Sequence, residues 1–363
     1  MTGYPGKSIG NIRPLLWRIF RDLRWPLFAT GLLAFVFGLI WALIAKRMLG
    51  QIAPFFEALG QMGGLSNKDM EGALFEGPGQ LLRTLLGGER IDLNQAMDFL
   101  SVCLVHPTMI TILPLWAISR STQAIAGEID RGTMELLLAQ PVSRVGVWLG
   151  HAIAESVAML ILATLAVSGL TIGAWIISPL EVKPLSPKLL SKKTAIIAEI
   201  GPLRLRVEDP FRDRPGQSNL SQSKGPQDIS ERLSIRPGHF LLALPQLFGF
   251  MASISGLGIV VSVLIRRRFI ALGVGVLILL TMFLINLLGQ LWGPLEPFRP
   301  LCFYYYYLPQ EAPLGRIPMV DFREWFGPGV VRIPSFLVQM ALAAMGWVTA
   351  LWLLRKRDIP APL

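Results

Sequence analysis

The sequence predicts an all-α integral membrane protein with six transmembrane helices. Hydrophobic residues make up 52% of the 363 residues, charged residues only 16%, and the mean hydropathy is +0.52. A soluble domain carries about a quarter charged residues. Six stretches hold almost no charge, and each approaches or exceeds the roughly 20 residues that a helix needs to cross the hydrocarbon core. Because backbone polar groups must be satisfied internally there, we expect all six to be helices.

The first stretch is as long as a full span and no signal-peptide cleavage pattern follows it closely, so we expect it to be retained. The third is interrupted only by His151 and Glu155. No second domain is indicated, so residues 1–363 are expected to form a single domain. The six predicted spans are 26–45, 99–118, 145–179, 240–265, 269–292 and 334–354.

The distribution of Lys and Arg predicts the orientation. Segments 1–25, 119–144, 266–268 and 355–363 hold 14 of the 34 Lys and Arg in 63 residues, against 20 in the 154 residues of the opposite loops. Cytoplasmic segments carry the excess of positive charge. Both termini are therefore predicted to be cytoplasmic, with the chain integral to the inner or plasma membrane of the cell.

Residues 11–24 are predicted to form an amphipathic helix in the cytoplasmic interface, with a bend at Pro26. The alternative is a plain cytoplasmic extension of the first span. One face would carry Leu15, Leu16, Ile19, Phe20 and Leu23, and Arg13, Arg18, Arg21 and Arg24 would lie mostly on the other.

Three long outer loops are predicted, at 46–98, 180–239 and 293–333. The third contains an aromatic run from Phe303 to Tyr307. Aromatic residues concentrate at membrane interfaces, so this run is predicted to form a belt at the outer interface.

Catalytic and nucleotide-binding signatures are absent from the sequence. Gly6-Lys7-Ser8 resembles the end of a phosphate-binding loop, but Met1 stands where its first glycine is required. The three histidines are scattered, and the two cysteines have no metal-ligand spacing. We therefore expect no enzyme activity, cofactor or metal on this chain. No basic-aromatic module accompanies the positive charge, so no nucleic-acid partner is expected either.

Two features lie inside the third predicted span. His151 and Glu155 are four residues apart and share a helix face. They form either a structural pair near the cytoplasmic end, aided by Ser156, or a proton relay or substrate contact. Gly169 and Gly173 match the G-x-x-x-G pattern of closely packed helices.

A charged island at 127–144 separates the second and third spans. Thr133 is predicted to cap a short helix from Met134 to Gln140, and Ser143 to cap the third span. Met134, Leu137 and Leu138 would form an apolar ridge that inserts into a partner, while Glu128, Arg131, Glu135 and Arg144 set the charge register.

The island G-E-I-D-R-G-T-M-E-L-L-L-A-Q-P-V-S-R resembles a segment of the permease subunits of type 2 ATP-binding-cassette (ABC-2 type) transporters. Asp130 stands where Glu is frequent in that family. The resemblance implies a coupling helix that seats in a cytoplasmic ABC ATPase subunit, with ATP and Mg²⁺ bound by that partner. It also implies a second permease subunit, identical or similar. The implied ATPase interface comprises Gly127, Glu128, Asp130, Arg131, Gly132, Thr133, Glu135, Leu137, Leu138 and Arg144.

We therefore expect a permease subunit of an ATP-driven exporter that forms the translocation pathway. Two alternatives remain open at this stage. One is an ion-coupled secondary carrier that works through His151 and Glu155, and the other is a membrane scaffold that an associated ATPase drives without transport.

Overall fold

The computed structural model describes residues 12–63, 96–134, 143–178, 199–200, 203–204, 234–320, 322 and 332–356. Six of its helices are long and apolar enough to cross a membrane: Arg13–Leu49, Ala96–Ala124, Arg144–Ile177, Pro237–Leu264, Arg268–Leu291 and Ser335–Lys356. Each contains most or all of one predicted span. The predicted helical membrane fold is confirmed.

The α-helices are numbered in chain order. They are α1 (Arg13–Gly63), α2 (Ala96–Val105), α3 (Pro107–Ala124), α4 (Ala126–Asp130), α5 (Arg144–Ile177), α6 (Leu244–Leu264), α7 (Arg268–Leu291) and α8 (Ser335–Lys356). Short 3₁₀ helices lead into α6 at Pro237–Ala243 and follow α7 at Gly293–Leu301, Phe303–Tyr306 and Ala312–Leu314. Two antiparallel pairs of two-residue strands join β1 (Glu199–Ile200) to β2 (Leu203–Arg204) and β3 (Met319–Val320) to β4 (Ile333–Pro334). They are too short to change the fold class.

The helix α6 lies at the centre of the bundle. It contacts α3, α5, α7 and α8, and it belongs to the most deeply buried of the six spans. At the periphery, α1 packs mainly against α5, and α7 packs against α3. Both peripheral helices expose large apolar side chains, among them Leu32 and Leu33 on α1 and Leu277 and Leu280 on α7. An apolar outward face is what a membrane-spanning helix presents to lipid.

The contact between α1 and α5 depends on glycine. A Cβ atom at Gly169 would collide with the backbone of Phe35, and one at Gly38 would lie 2.7 Å from the backbone nitrogen of Leu170. Only the absence of a side chain lets the two backbones approach this closely. The close approach predicted from Gly169 and Gly173 is confirmed.

The predicted separate helix at 11–24 is wrong, because α1 continues without a break through Pro26. The amphipathic pattern itself is borne out: Leu15, Ile19 and Leu23 are buried. Leu15 packs on Gly150 of α5, where a Cβ atom would lie 2.9 Å from the Leu15 side chain. Packing against α5 therefore extends the first span in the N-terminal direction, which corresponds to the alternative of a plain extension.

The first span is longer than a bilayer core is thick. Arg13–Leu49 comprises 37 residues, and at 1.5 Å per residue it measures about 55 Å against a core of about 30 Å. The helix must extend beyond the hydrocarbon core. It also continues to Gly63, into the predicted outer loop 46–98; the rest of that loop before Ala96 lies outside the described residues, as does most of the loop 180–239.

The second span is divided at His106, where a single helix was expected. Proline lacks a backbone N–H and disfavours helical geometry in the residue before it. Pro107 therefore ends α2 and opens α3, and the Nδ1 atom of His106 accepts a hydrogen bond of 3.2 Å from the backbone N–H of Thr108.

The predicted aromatic belt at Phe303–Tyr307 is wrong for its buried members. The Tyr307 hydroxyl donates to the backbone oxygen of Leu104 at 2.9 Å, and its ring stacks on Phe250 with centroids 4.1 Å apart. A buried tyrosine needs a partner for its hydroxyl, and here the protein supplies one. This segment therefore closes the end of the bundle opposite to the charged island.

Candidate functional site

The chain bends at Ile125, immediately after the second span. The backbone N–H groups of Ile125 and Ala126 both donate to the Ser262 hydroxyl oxygen at 2.9 Å. Such N–H groups have no partner within their own helix at a helix start. Ser262, a fully buried residue of α6, therefore caps α4. The sequence gives no local signal of this contact, since 136 residues separate Ser262 from Ala126.

Glu128 is the central charge of the segment and is only 5% exposed. Its carboxylate pairs with Arg18 of α1 at 3.4 Å and with Arg131 at 3.0 Å. A buried carboxylate is tolerated only when such partners replace water. Glu128, predicted to contact the ATPase, thus binds the segment to α1 within this chain.

Thr133 and Gly132 shape the turn that follows α4. The Thr133 hydroxyl donates to the Glu128 carboxylate and also lies 3.2 Å from the Glu128 backbone oxygen. Gly132 adopts a φ of +67°, which glycine reaches without steric cost. The predicted interruption at Gly132 is confirmed, and the contacts of Thr133 reach back to α4.

The exposed part of the described segment is formed by Asp130 and Arg131. The Arg131 side chain is 48% exposed, and its Nε donates to the backbone oxygen of the buried Gly127 at 3.0 Å. Asp130 is partly exposed and pairs with Arg268 of α7 at 3.7 Å. Of the described interface residues, these two are the exposed ones and offer the most surface to a partner.

The predicted apolar ridge is only partly described. Met134 is 2% exposed and packs in the core of the chain, so its predicted contact with a partner is wrong. The sequence pattern could not distinguish these two destinations, because either buries an apolar face. Glu135, Leu137 and Leu138 lie outside the described residues, together with the rest of the predicted helix.

The start of the third span fixes the other end of the segment. The Ser143 hydroxyl accepts a hydrogen bond of 3.1 Å from the backbone N–H of Gly146, which confirms the predicted cap. Arg144 donates to the backbone oxygen of Leu354 at 3.3 Å. A cation at a helix C-terminus satisfies carbonyl groups that lack an intrahelical partner. Arg144 thus contacts the last turn of α8.

His151 and Glu155 are both buried on α5, but the partner of Glu155 lies on another helix. The Glu155 carboxylate accepts a hydrogen bond of 2.6 Å from the Ser255 hydroxyl of α6. The His151 Nε2 atom has no hydrogen-bond partner. Ser156, predicted to support the pair, instead donates to the backbone of Ala152.

Among the described residues, no group of three or more His, Cys, Asp or Glu side chains is placed to hold a metal ion.

Comparison with known proteins adds one match. Residues 21–193 match the model of a family described as ABC-2 family transporter protein. The matched region contains most of α1, all of α2 to α5 and the whole charged island. No curated protein and no solved structure matches the chain. The family match over residues 21–193, together with six helices able to cross a membrane, supports an ABC-2 type membrane permease of an ABC transporter.

Proposed function

We propose that this permease is the membrane subunit of an ATP-driven exporter. It forms the translocation pathway with a second permease subunit, identical or similar, and couples to a separate cytoplasmic ABC ATPase that binds ATP and Mg²⁺. The ATPase docks on the charged island at residues 127–144, which is called the coupling segment from here on.

The attachment of the coupling segment to three different spans is the observation that carries this proposal. Glu128 pairs with Arg18 of α1. Ser262 of α6 caps the joint before the segment. Asp130 pairs with Arg268 of α7. A displacement of this segment would therefore act on α1, α6 and α7 directly, and on α3 through chain continuity.

The exposure of the segment fits a docking role. Glu128 and Met134 are buried inside the chain and give the segment a defined position. The polar surface of Asp130 and Arg131 remains open beside it. Rigid placement of a small exposed surface limits the ordering cost of binding a partner.

Co-purification tests the proposal. The tagged permease is expressed with each candidate ABC ATPase of its source organism and isolated in mild detergent. We expect one ATPase to remain bound and Arg131→Ala to reduce its retention severalfold, because the half-exposed guanidinium is lost from the contact. Arg316→Ala, which removes an exposed charge at the opposite end of the bundle, is the matched control.

Retention of the ATPase by neither the unmodified chain nor any variant would contradict the proposal. If all variants retained the ATPase equally, the ATPase contact would not involve Arg131. A non-transporting scaffold would also retain the ATPase, but no solute would stimulate its ATP turnover in liposomes.

A further inference from the structure

The break in the second span replaces one backbone hydrogen bond by two side-chain contacts. In a continuous helix the N–H of Thr108 would donate to the backbone oxygen of Leu104, one turn earlier. Here the Thr108 N–H donates to the Nδ1 atom of His106 at 3.2 Å, and the Leu104 oxygen accepts from the Tyr307 hydroxyl at 2.9 Å. Both ends of the missing bond are thus satisfied, as backbone at membrane depth requires.

Proline alone does not account for this break. Pro107 lacks the N–H that would reach the Cys103 oxygen, but the bond from Thr108 to Leu104 does not involve the proline nitrogen. Pro114 lies inside α3, which continues past it to Ala124. His106 instead turns the chain with a φ of −59° and a ψ of 142°, outside the helical region. Pro107 permits the break, and the side chains of His106 and Tyr307 stabilise it.

The two halves of the second span pack against different helices. The first half, α2, contacts α1 and α5, and the Trp41 Nε1 atom of α1 donates to the backbone oxygen of Phe99 at 3.3 Å. The second half, α3, packs mainly on α6 and α7, so closely that a Cβ atom at Gly258 of α6 would overlap the Ser121 side chain. The span therefore passes from one group of helices to another at His106–Pro107, here called the joint.

The two side chains that satisfy the joint are each held by one of these groups. The His106 ring lies with its centroid 5.0 Å from that of Phe37 and 5.1 Å from that of Trp41, both on α1. The Tyr307 ring stacks on Phe250 of α6. Tyr307 also belongs to the segment that closes the end of the bundle opposite to the charged island. The contact of Tyr307 with Leu104 thus ties this closing segment to α2.

We infer that the joint is a hinge of the permease and that Tyr307 latches it. In a second state the Tyr307 hydroxyl releases the Leu104 oxygen and turns to water, the Thr108 N–H takes its place, and α2 and α3 straighten into one helix. The helices packed on α2 then turn against those packed on α3, and the closed end of the bundle opens. What drives the straightening rests on the proposed function, since α3 leads into the coupling segment, but the exchange of hydrogen bonds does not.

A double-mutant cycle in the isolated permease tests this exchange without any ATPase. Tyr307→Phe, Pro107→Ala and the double variant are compared by their thermal midpoints in detergent. Tyr307→Phe alone removes the donor of the Leu104 oxygen, so we expect the midpoint to fall by several degrees. Pro107 is exposed, so its replacement removes little packing. An alanine there lets the helix close and brings the Thr108 N–H to Leu104, and Tyr307→Phe should then cost less than half as much.

Two matched controls separate this effect from general changes in stability. Tyr306→Phe removes a buried hydroxyl that donates to the Pro300 backbone oxygen within the same segment, and its cost should not depend on Pro107→Ala. Pro114→Ala makes the same proline change inside α3 and should not lessen the cost of Tyr307→Phe. If Tyr307→Phe folds only together with Pro107→Ala, that rescue supports the exchange. An equal cost of Tyr307→Phe in every background would overturn it.

A distance measurement tests the hinge itself. Nitroxide labels replace the exposed Trp175 at the end of α5 and the exposed Arg316 beyond the closing segment, and labelled chain is diluted with unlabelled chain so that only distances within one chain are read. We expect a second distance population in the variant that combines Tyr307→Phe with Pro107→Ala, and none in the one that combines the two controls. Identical distributions in the two combined variants would overturn the hinge.

The same labels follow the hinge in the complex with the ATPase. Nucleotide binding should produce the second distance population in the otherwise unmodified permease. A nucleotide-bound complex that keeps the single population would contradict a hinge that works in transport. Failure to isolate an ATPase complex would count against the proposed function alone, because the midpoints and distances of the isolated permease do not depend on it.

Discussion

Glu128 shows how one residue can determine the position of a functional segment. Its carboxylate forms ion pairs with Arg18 and Arg131 and accepts a hydrogen bond from the Thr133 hydroxyl. It therefore contacts both α1 and the turn that follows α4. Two of these partners lie close in sequence, whereas Arg18 is 110 residues away. Loss of this carboxylate would free the segment from α1 while its backbone remained in place.

Replacing Glu128 by Gln tests this role. The amide turns one acceptor into a donor that faces arginine, so we expect a loss of about 1–3 kcal/mol in unfolding free energy, moderated because Arg18 and Arg131 stay partly hydrated. Thermal unfolding of the purified permease measures it. Arg24→Gln, which removes an exposed α1 guanidinium placed over Trp25, is the control. Equal midpoints for both variants would mean that Glu128 does not stabilise the joint.

At the scale of helices, the close packing of α1 on α5 sets the shape of one side of the bundle. At Gly38, Phe35 and Gly169 the contact is made between backbones, whereas nearer the N-terminus of α1 the Leu15 side chain packs on Gly150. In a membrane such packing replaces the hydrophobic effect as the source of helix association. The N-terminal part of α1 that carries Arg18 is therefore held by the same helix that begins after the coupling segment.

Gly169→Ala is predicted to disrupt this packing. Its Cβ atom would overlap the Phe35 backbone, which cannot move without displacing α1. We expect a lower thermal midpoint and a lower yield of folded permease in detergent. Gly273→Ala on α7 adds the same methyl group where nothing lies within 4 Å, and it should leave both quantities unchanged or slightly improved. A thermal midpoint for Gly169→Ala equal to that of the control would contradict the close backbone contact between α1 and α5.

The elements that sequence reasoning predicted are those set by local pattern. Uncharged runs predicted the six spans. Gly132 predicted the turn after α4, and Ser143 predicted the N-terminal cap of α5. Gly169 predicted a close contact between helices. The misplaced features depend on distant contacts. The continuous α1, the buried Met134 and the inward Tyr307 each depend on side chains far along the chain, and an apolar residue looks the same in sequence whether it faces a partner, lipid or its own core.

At the scale of the whole molecule, the charged coupling segment and the aromatic run at residues 303–307 lie at opposite ends of the bundle. The Lys and Arg census predicts that the coupling segment faces the cytoplasm. The exposed arginines between α6 and α7 lie on the same side as that segment, since Arg268 pairs with Asp130.

Cysteine labelling tests this orientation. Arg266→Cys and Arg316→Cys place thiols at exposed positions at the two ends, while the native Cys103 and Cys302 are buried. We expect a membrane-impermeant maleimide to label position 316 in intact spheroplasts and position 266 only in inverted vesicles. The reverse pattern would place the coupling segment outside the cell and make a cytoplasmic ATPase partner untenable.

Crosslinking from the coupling segment itself tests the central claim most directly. A photo-crosslinking amino acid replaces the half-exposed Arg131 in cells that also produce the ATPase, and Arg316 carries it in the control. The account predicts a light-dependent adduct at position 131 with an ABC ATPase, identified by mass spectrometry, and none at position 316. No ATPase adduct at position 131, or one of equal yield at position 316, would contradict it.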